Sequence, residues 1–248
     1  MAAVGIPRGV SVTNASPLWA FVHVPKTAGS SINRMLSEWS WGQDHIEAFT
    51  SNPSEMVTLC ARSSWVSGHV EYPALLASLR RSTTRPLRFV TAVREPTRQI
   101  ASHYNWLMEI HHRGGAFYAN HPERIRQISE HIRSTDNSDP AAVAARLREY
   151  AGLFLNQQSR VVLGTVVRDW PAGEIARALQ CYDYVATEST VPVLIKKVTN
   201  HSSSSPILRE NESGYHFDRS IFQHPYLQDF LSEHHASDHA LYEAVKAM

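Results

Sequence analysis

The most constraining feature of this chain is an apolar run that stops at a turn of small residues and resumes as a helical stripe. Residues 18–24 (LWAFVHV) are apolar but for one histidine, the pattern of a short strand buried on both faces. Residues 25–31 (PKTAGSS) break it, because proline, glycine and serine favour a turn over an extended ladder. Ile32, Met35, Leu36 and Trp39 then recur at i, i+3, i+4 and i+7, one face of a helix. The chain therefore opens strand, loop, helix.

The unit recurs. Residues 87–93 (LRFVTAV) read as a second strand, Arg94-Glu95-Pro96 as its turn, and Pro96 suits the first turn of a helix carrying Ile100, Tyr104, Leu107 and Met108. Between the units, 57–60 and 65–66 are expected as short strands, with Gly68-His69 ending the second. Helices are expected on Ile125, Ile128 and Ile132, after Asp139-Pro140, over 172–179 and over 238–248, with a strand at 182–187 and a polar surface loop at 200–214. Strands alternating with helices predict an α/β fold with a central, mostly parallel sheet flanked by helices. We expect a loose arm over 1–17 and a single domain over 18–248.

Composition narrows the function. With 43% apolar residues the 248-residue chain can bury a large core, and a net charge of +1 gives no general footprint for nucleic acid or an anionic membrane. Two cysteines, Cys60 and Cys181, make no disulfide framework and no zinc spacing. The longest apolar run is far below the roughly 20 residues of a membrane span. These features predict a soluble, cytoplasmic protein with no metal. His234, His235, Asp238 and His239 are expected on a solvated helix end, Arg80, Arg81, Arg85 and Arg88 on a solvated face, and His23 in the core.

A strand, a glycine-containing turn and a helix N-terminus make a natural anion site, because unpaired backbone N–H groups and the helix dipole face the ligand. A Walker loop, G-x-x-x-x-G-K-[ST], fits poorly: Lys26-Thr27 match its end, but Ala20 and Pro25 stand where both glycines belong. Here the lysine precedes the glycine. His23-Val24-Pro25-Lys26-Thr27-Ala28-Gly29-Ser30-Ser31 closely resembles the 5′-phosphosulfate loop of sulfotransferases that use 3′-phosphoadenosine 5′-phosphosulfate (PAPS), in the form found in the heparan sulfate 2-O-sulfotransferase branch and its soluble bacterial relatives. Val93-Arg94-Glu95-Pro96 with Ser102, eight residues after the arginine, resembles that family's 3′-phosphate motif. Ser67-Gly68-His69-Val70 resembles its G-H-V segment. Asn156-Gln157-Gln158-Ser159-Arg160 and Glu188 resemble looser family stretches, with Ala186 replacing a usual glycine.

The resemblance implies a P-loop-like sulfotransferase fold and transfer of a sulfuryl group from PAPS to an acceptor hydroxyl, on a glycan, with no metal required. The same chemistry on a hydroxylated small molecule or lipid, and an ATP-dependent kinase, are the alternatives. In-line transfer needs a cation at the leaving oxygen, for which Lys26 is the candidate, and a general base. The base is His69 or, alternatively, Glu71. Pro25, Lys26, Thr27, Ala28, Gly29, Ser30 and Ser31 would cradle the 5′-phosphate, and Arg94 and Ser102 the 3′-phosphate. Arg98 would assist. Asn156, Gln157 and Arg160 line the acceptor cleft or simply cap and brace a helix, and 200–214 would fold over the adenosine.

Overall fold

The computed structural model describes residues 15–167, 169–200 and 214–248. Five strands, β1 (Leu18–Val22), β2 (Gly42–Gln43), β3 (Trp65–Gly68), β4 (Leu87–Ala92) and β5 (Tyr184–Ala186), form one all-parallel sheet in the order β2-β3-β1-β4-β5. The helices in its first half are α1 (Gly29–Trp39), α2 (Pro53–Arg62), α3 (Tyr72–Ser82), α4 (Pro96–His112), α5 (Gly115–Ala119) and α6 (Glu123–Arg133). Then come α7 (Pro140–Glu149), α8 (Ala151–Phe154), α9 (Gln157–Leu163), α10 (Ala172–Ala178), α11 (Val191–Thr199), α12 (Pro225–His234) and α13 (Ala236–Lys246). The α/β reading with a central parallel sheet holds. The expected strand at 57–60 does not: the Asn52 side chain caps α2 by accepting from Glu55 N, and Met56, Leu59 and Cys60 bury one face of that helix.

Both faces of β1 are buried, which explains its continuous apolar run. Leu18, Ala20 and Val22 join a core with α2, α3, α9, α10 and α13, whereas Phe21 faces α1 and α11. A third core joins α4, α6, α7, α8 and α12 beside the sheet, and the wholly buried Tyr104 belongs to it.

Two expectations about polar groups are corrected. Arg85 is only 4% exposed and its guanidinium donates to four carbonyls, those of Ser16, Pro17, Cys60 and Ser63. It pins the start of β1 to the end of α2, rather than sitting on a solvated face. The described end of the expected 1–17 arm is thus held; residues 1–14 lie outside the described residues. His235 and Asp238 are wholly buried, not on a solvated helix end, because they satisfy the N-terminal amides of α9. No helix among the described residues is long and apolar enough to cross a membrane.

Candidate functional site

In parallel sheets ligands gather at the carboxyl ends of the strands, where successive helices leave toward opposite faces. Here α1 packs through Ile32 and Leu36 on one face, and α3 through Leu75 and Leu79 on the other. The crevice therefore opens past the ends of the neighbouring strands β1 and β3. Lys26 follows β1, His69 follows β3, Arg94 follows β4 and Glu188 follows β5. Four residues spread over 163 positions of sequence meet at one sheet edge because the pairing is parallel and in register, Val22 opposite Gly68 and Thr91, and Ala92 opposite Ala186.

The loop between β1 and α1 has an unusual backbone. Lys26 (φ 66°) and Ala28 (φ 71°) both adopt the left-handed conformation, on either side of Thr27. Neither is glycine, so each conformation costs on the order of 1 kcal/mol and persists only where the surroundings hold it. Three bonds do so. Thr27 Oγ1 donates to Val24 O at 2.9 Å, Gln99 Nε2 to Pro25 O at 2.9 Å, and Arg94 Nη1 to Lys26 O at 3.2 Å. Three successive carbonyls, those of Val24, Pro25 and Lys26, are thereby fixed by side chains. Backbone of alternating handedness is the form in which successive N–H groups can make a concave anion-binding nest. Ile32 N bonds back to Ala28 O, so Gly29 and Ser30 lie in the first turn of α1, where N–H groups lack intrahelical acceptors.

Gly29 is required for a different reason. A Cβ there would lie 1.7 Å from Nε2 of the buried His23 ring. Gly29→Ala should therefore lower stability by about 1–3 kcal/mol. His23→Ala in the same chain should recover part of that loss, read by urea denaturation. Strictly additive losses would refute the contact.

Lys26 is half-buried, and its ammonium is pushed down to about 8, first by burial and then by the neighbouring Arg94 and Arg113. Arg94 is bridged through Nε to Glu188 Oε1 at 3.1 Å. Among the described residues, its contacts to Glu188 and Lys26 O take two of its five N–H donors. Its backbone is clasped by Gln158, whose Oε1 accepts from Arg94 N at 2.8 Å and whose Nε2 donates to Arg94 O at 2.9 Å. Glu95 caps α4, accepting from Thr97 N and Arg98 N, which accounts for the acid between Arg94 and Pro96. Ser102 is half-buried along α4, and Arg98 is exposed.

His69 follows β3 with its outer surface open to solvent and its ring packed against protein. Its Nδ1 lies 2.9 Å from His23 O. A carbonyl only accepts, so Nδ1 carries the proton and Nε2 the lone pair. Its ring packs 4.1 Å from that of His23. Burial, as the larger effect, lowers its pKa despite opposing pulls from the His23 carbonyl and Glu47, which favours the neutral ring. Glu71, the alternative base, is exposed at the N-cap of α3.

Asn156 and Arg160 are engaged in bracing. Asn156, left-handed at φ 53°, donates from Nδ2 to His234 O and accepts from Ser237 N; Arg160 donates to Gly152 O. Gln157 is buried and accepts from Gln99 Nε2 at 3.0 Å, behind the loop. Residues 201–213, most of the loop expected over the adenosine, lie outside the described residues.

Sequence reasoning missed Gln99 and the clasping role of Gln158. It also missed a cluster of His45, Glu47 and His69 beside the crevice, where it expected no metal ligands. Gln99 and Gln158 act through contacts far apart in sequence, and His69 meets Glu47 from 22 residues away, so no local pattern announces them. No family model matches the sequence, and no curated protein matches it.

Proposed function

We propose that this protein transfers a sulfuryl group from PAPS to an acceptor hydroxyl, on a carbohydrate. One observation carries the reading: the lysine-bearing loop after β1 alternates in handedness, with three successive carbonyls held by Thr27, Arg94 and Gln99, a backbone form that can cradle an anion. A loop built this way suits the 5′-phosphosulfate. Arg94, anchored by Glu188 and Gln158 with Ser102 along α4, suits the 3′-phosphate. The two groups belong to one small ligand, and the motifs that resemble a sulfotransferase supply both.

In the proposed reaction the acceptor hydroxyl attacks sulfur in line with the departing bisphosphate. His69 Nε2 takes the hydroxyl proton as the S–O bond forms. Lys26 stabilises charge on the bridging oxygen as the old S–O bond breaks. The product is 3′-phosphoadenosine 5′-phosphate (PAP), and no electrons change hands. The His23 carbonyl orients the base by fixing its Nδ1 proton.

Calorimetric titration with PAP tests the cofactor. Saturable one-to-one binding, weakened at least about tenfold in Arg94→Ala, is expected. No binding, or thermal stabilisation by ATP–Mg²⁺ and not by PAP, would replace this reading with phosphoryl transfer. Labelled PAPS with candidate glycans and hydroxylated small molecules tests the acceptor. In such assays His69→Ala should lower turnover by about 10²–10⁴-fold. Intact turnover in that variant would move the base to Glu71.

A further inference from the structure

We propose that His45, Glu47 and His69 form a site for one transition-metal dication of the Zn²⁺ class at the mouth of the crevice. Their ligand atoms lie within 4.8 Å of one another, two from nitrogen and one from oxygen, a donor set that suits zinc with a fourth position open.

Four observations support a seat for a metal over a chance cluster. First, His69 donates Nδ1–H to the His23 carbonyl, the outer contact that typically orients a ligating histidine and frees Nε2 for the ion. Second, Glu47 is fixed: its Oε2 accepts from His69 N at 3.1 Å. That approach needs the glycine before His69, since a Cβ at Gly68 would lie 2.4 Å from Glu47 Oε2. Third, His45 Nδ1 and Glu47 Oε1 are 2.9 Å apart. Two donors on one zinc, each at 2.0–2.1 Å, stand about 3.3 Å apart, so a few tenths of an ångström separate this contact from shared ligation. Fourth, His45 adopts a left-handed backbone (φ 51°) next to the short turn Ile46–Ala48 that carries Glu47. His45 is exposed and already turned toward Glu47, and the other two donors are held by bonds of their own.

A metal at this site takes the Nε2 lone pair of His69. Metal and substrate proton then compete for one atom, so Zn²⁺ inhibits the transfer. That consequence rests on the sulfuryl-transfer reading; the binding itself does not.

Titration of the full chain with Co²⁺ tests the site directly through the visible absorption of four-coordinate cobalt. We expect a band that saturates at one equivalent and is displaced by Zn²⁺. His45→Ala and Glu47→Gln should each weaken binding by about tenfold or more. A wild-type chain with no saturable band overturns the proposal, as does a His45→Ala chain that titrates like wild type. Zn²⁺ should inhibit wild-type transfer, and His45→Ala, which keeps the base, should resist. Loss of the cobalt band with PAP binding intact removes the metal site alone. Loss of PAP binding with the band intact removes the transfer reading alone.

Discussion

Replacing Lys26 by Ala is expected to lower the rate of sulfuryl transfer by about 10²–10³-fold, or roughly 3–4 kcal/mol of transition-state stabilisation. The loss should fall mainly on kcat. Charge on the bridging oxygen develops only as the S–O bond breaks, so PAP affinity should change less than the rate. Lys26→Arg should recover little, because a planar fork cannot place a compact charge in the same loop. Nor does another lysine replace it. Of the other three in the chain, Lys196 and Lys197 end α11, and Lys246 pairs with Glu243 on α13. A pH profile supplies a second readout. The lysine is depressed to about 8, and the cation is the active form, so kcat/KM should fall as pH rises through about 8. A bound polyanion favours the cation, so the corresponding limb in kcat should lie higher. On the acid side the rate should fall as His69 becomes protonated, below its ordinary 6.5, because burial lowers it. A rate that stays flat above pH 9 and survives Lys26→Ala would remove the lysine from the mechanism.

Asp238→Ala should have the largest effect on stability, a loss of about 3 kcal/mol or more. Its carboxylate is wholly buried on α13, accepting from Gln158 N at 3.0 Å and Ser159 N at 2.7 Å. Truncation leaves two buried amides without an acceptor, and buried charge-assisted bonds are costly to break on one side. The melting temperature should fall by about 6–12 °C for a chain of this size. The damage should also reach the crevice. Asp238 fixes the first turn of α9, whose Gln158 clasps the Arg94 backbone from both sides. PAP affinity should therefore fall at temperatures where the variant is still folded. A loss below about 1 kcal/mol with unchanged PAP affinity would show that the bonds are replaced by water and that Arg94 is held without them.

Much of the site's outline was legible locally. The apolar run before Pro25, the helical spacing from Ile32 and the repeat of that unit at Arg94 are nearest-neighbour patterns, and they placed two strands whose ends fall within two residues of those observed. The segment at 57–60 was misread because four apolar-rich residues carry no period; the asparagine cap and Pro53 upstream decided for a helix. Arg85, His235 and Asp238 were misread for a different reason. Charge and polarity in sequence predict exposure, and only the fold can offer a buried guanidinium four carbonyls or a buried carboxylate two amides.

Sequence by itself determined the class of architecture and the residue types at the turns, since buried strands, helix faces and breakers are written in local side-chain chemistry. Tertiary structure alone decided that the turns after four strands share one edge, because register and strand order depend on pairings between distant residues. It alone decided the loop's handedness as well. The left-handed Lys26 and Ala28 have no glycine to announce them, and they are held by bonds from Gln99 and Arg94, about 70 residues away in the chain. The opening strand–turn–helix supplied the parts of a candidate anion site, and contacts across the fold fixed the conformation of its loop.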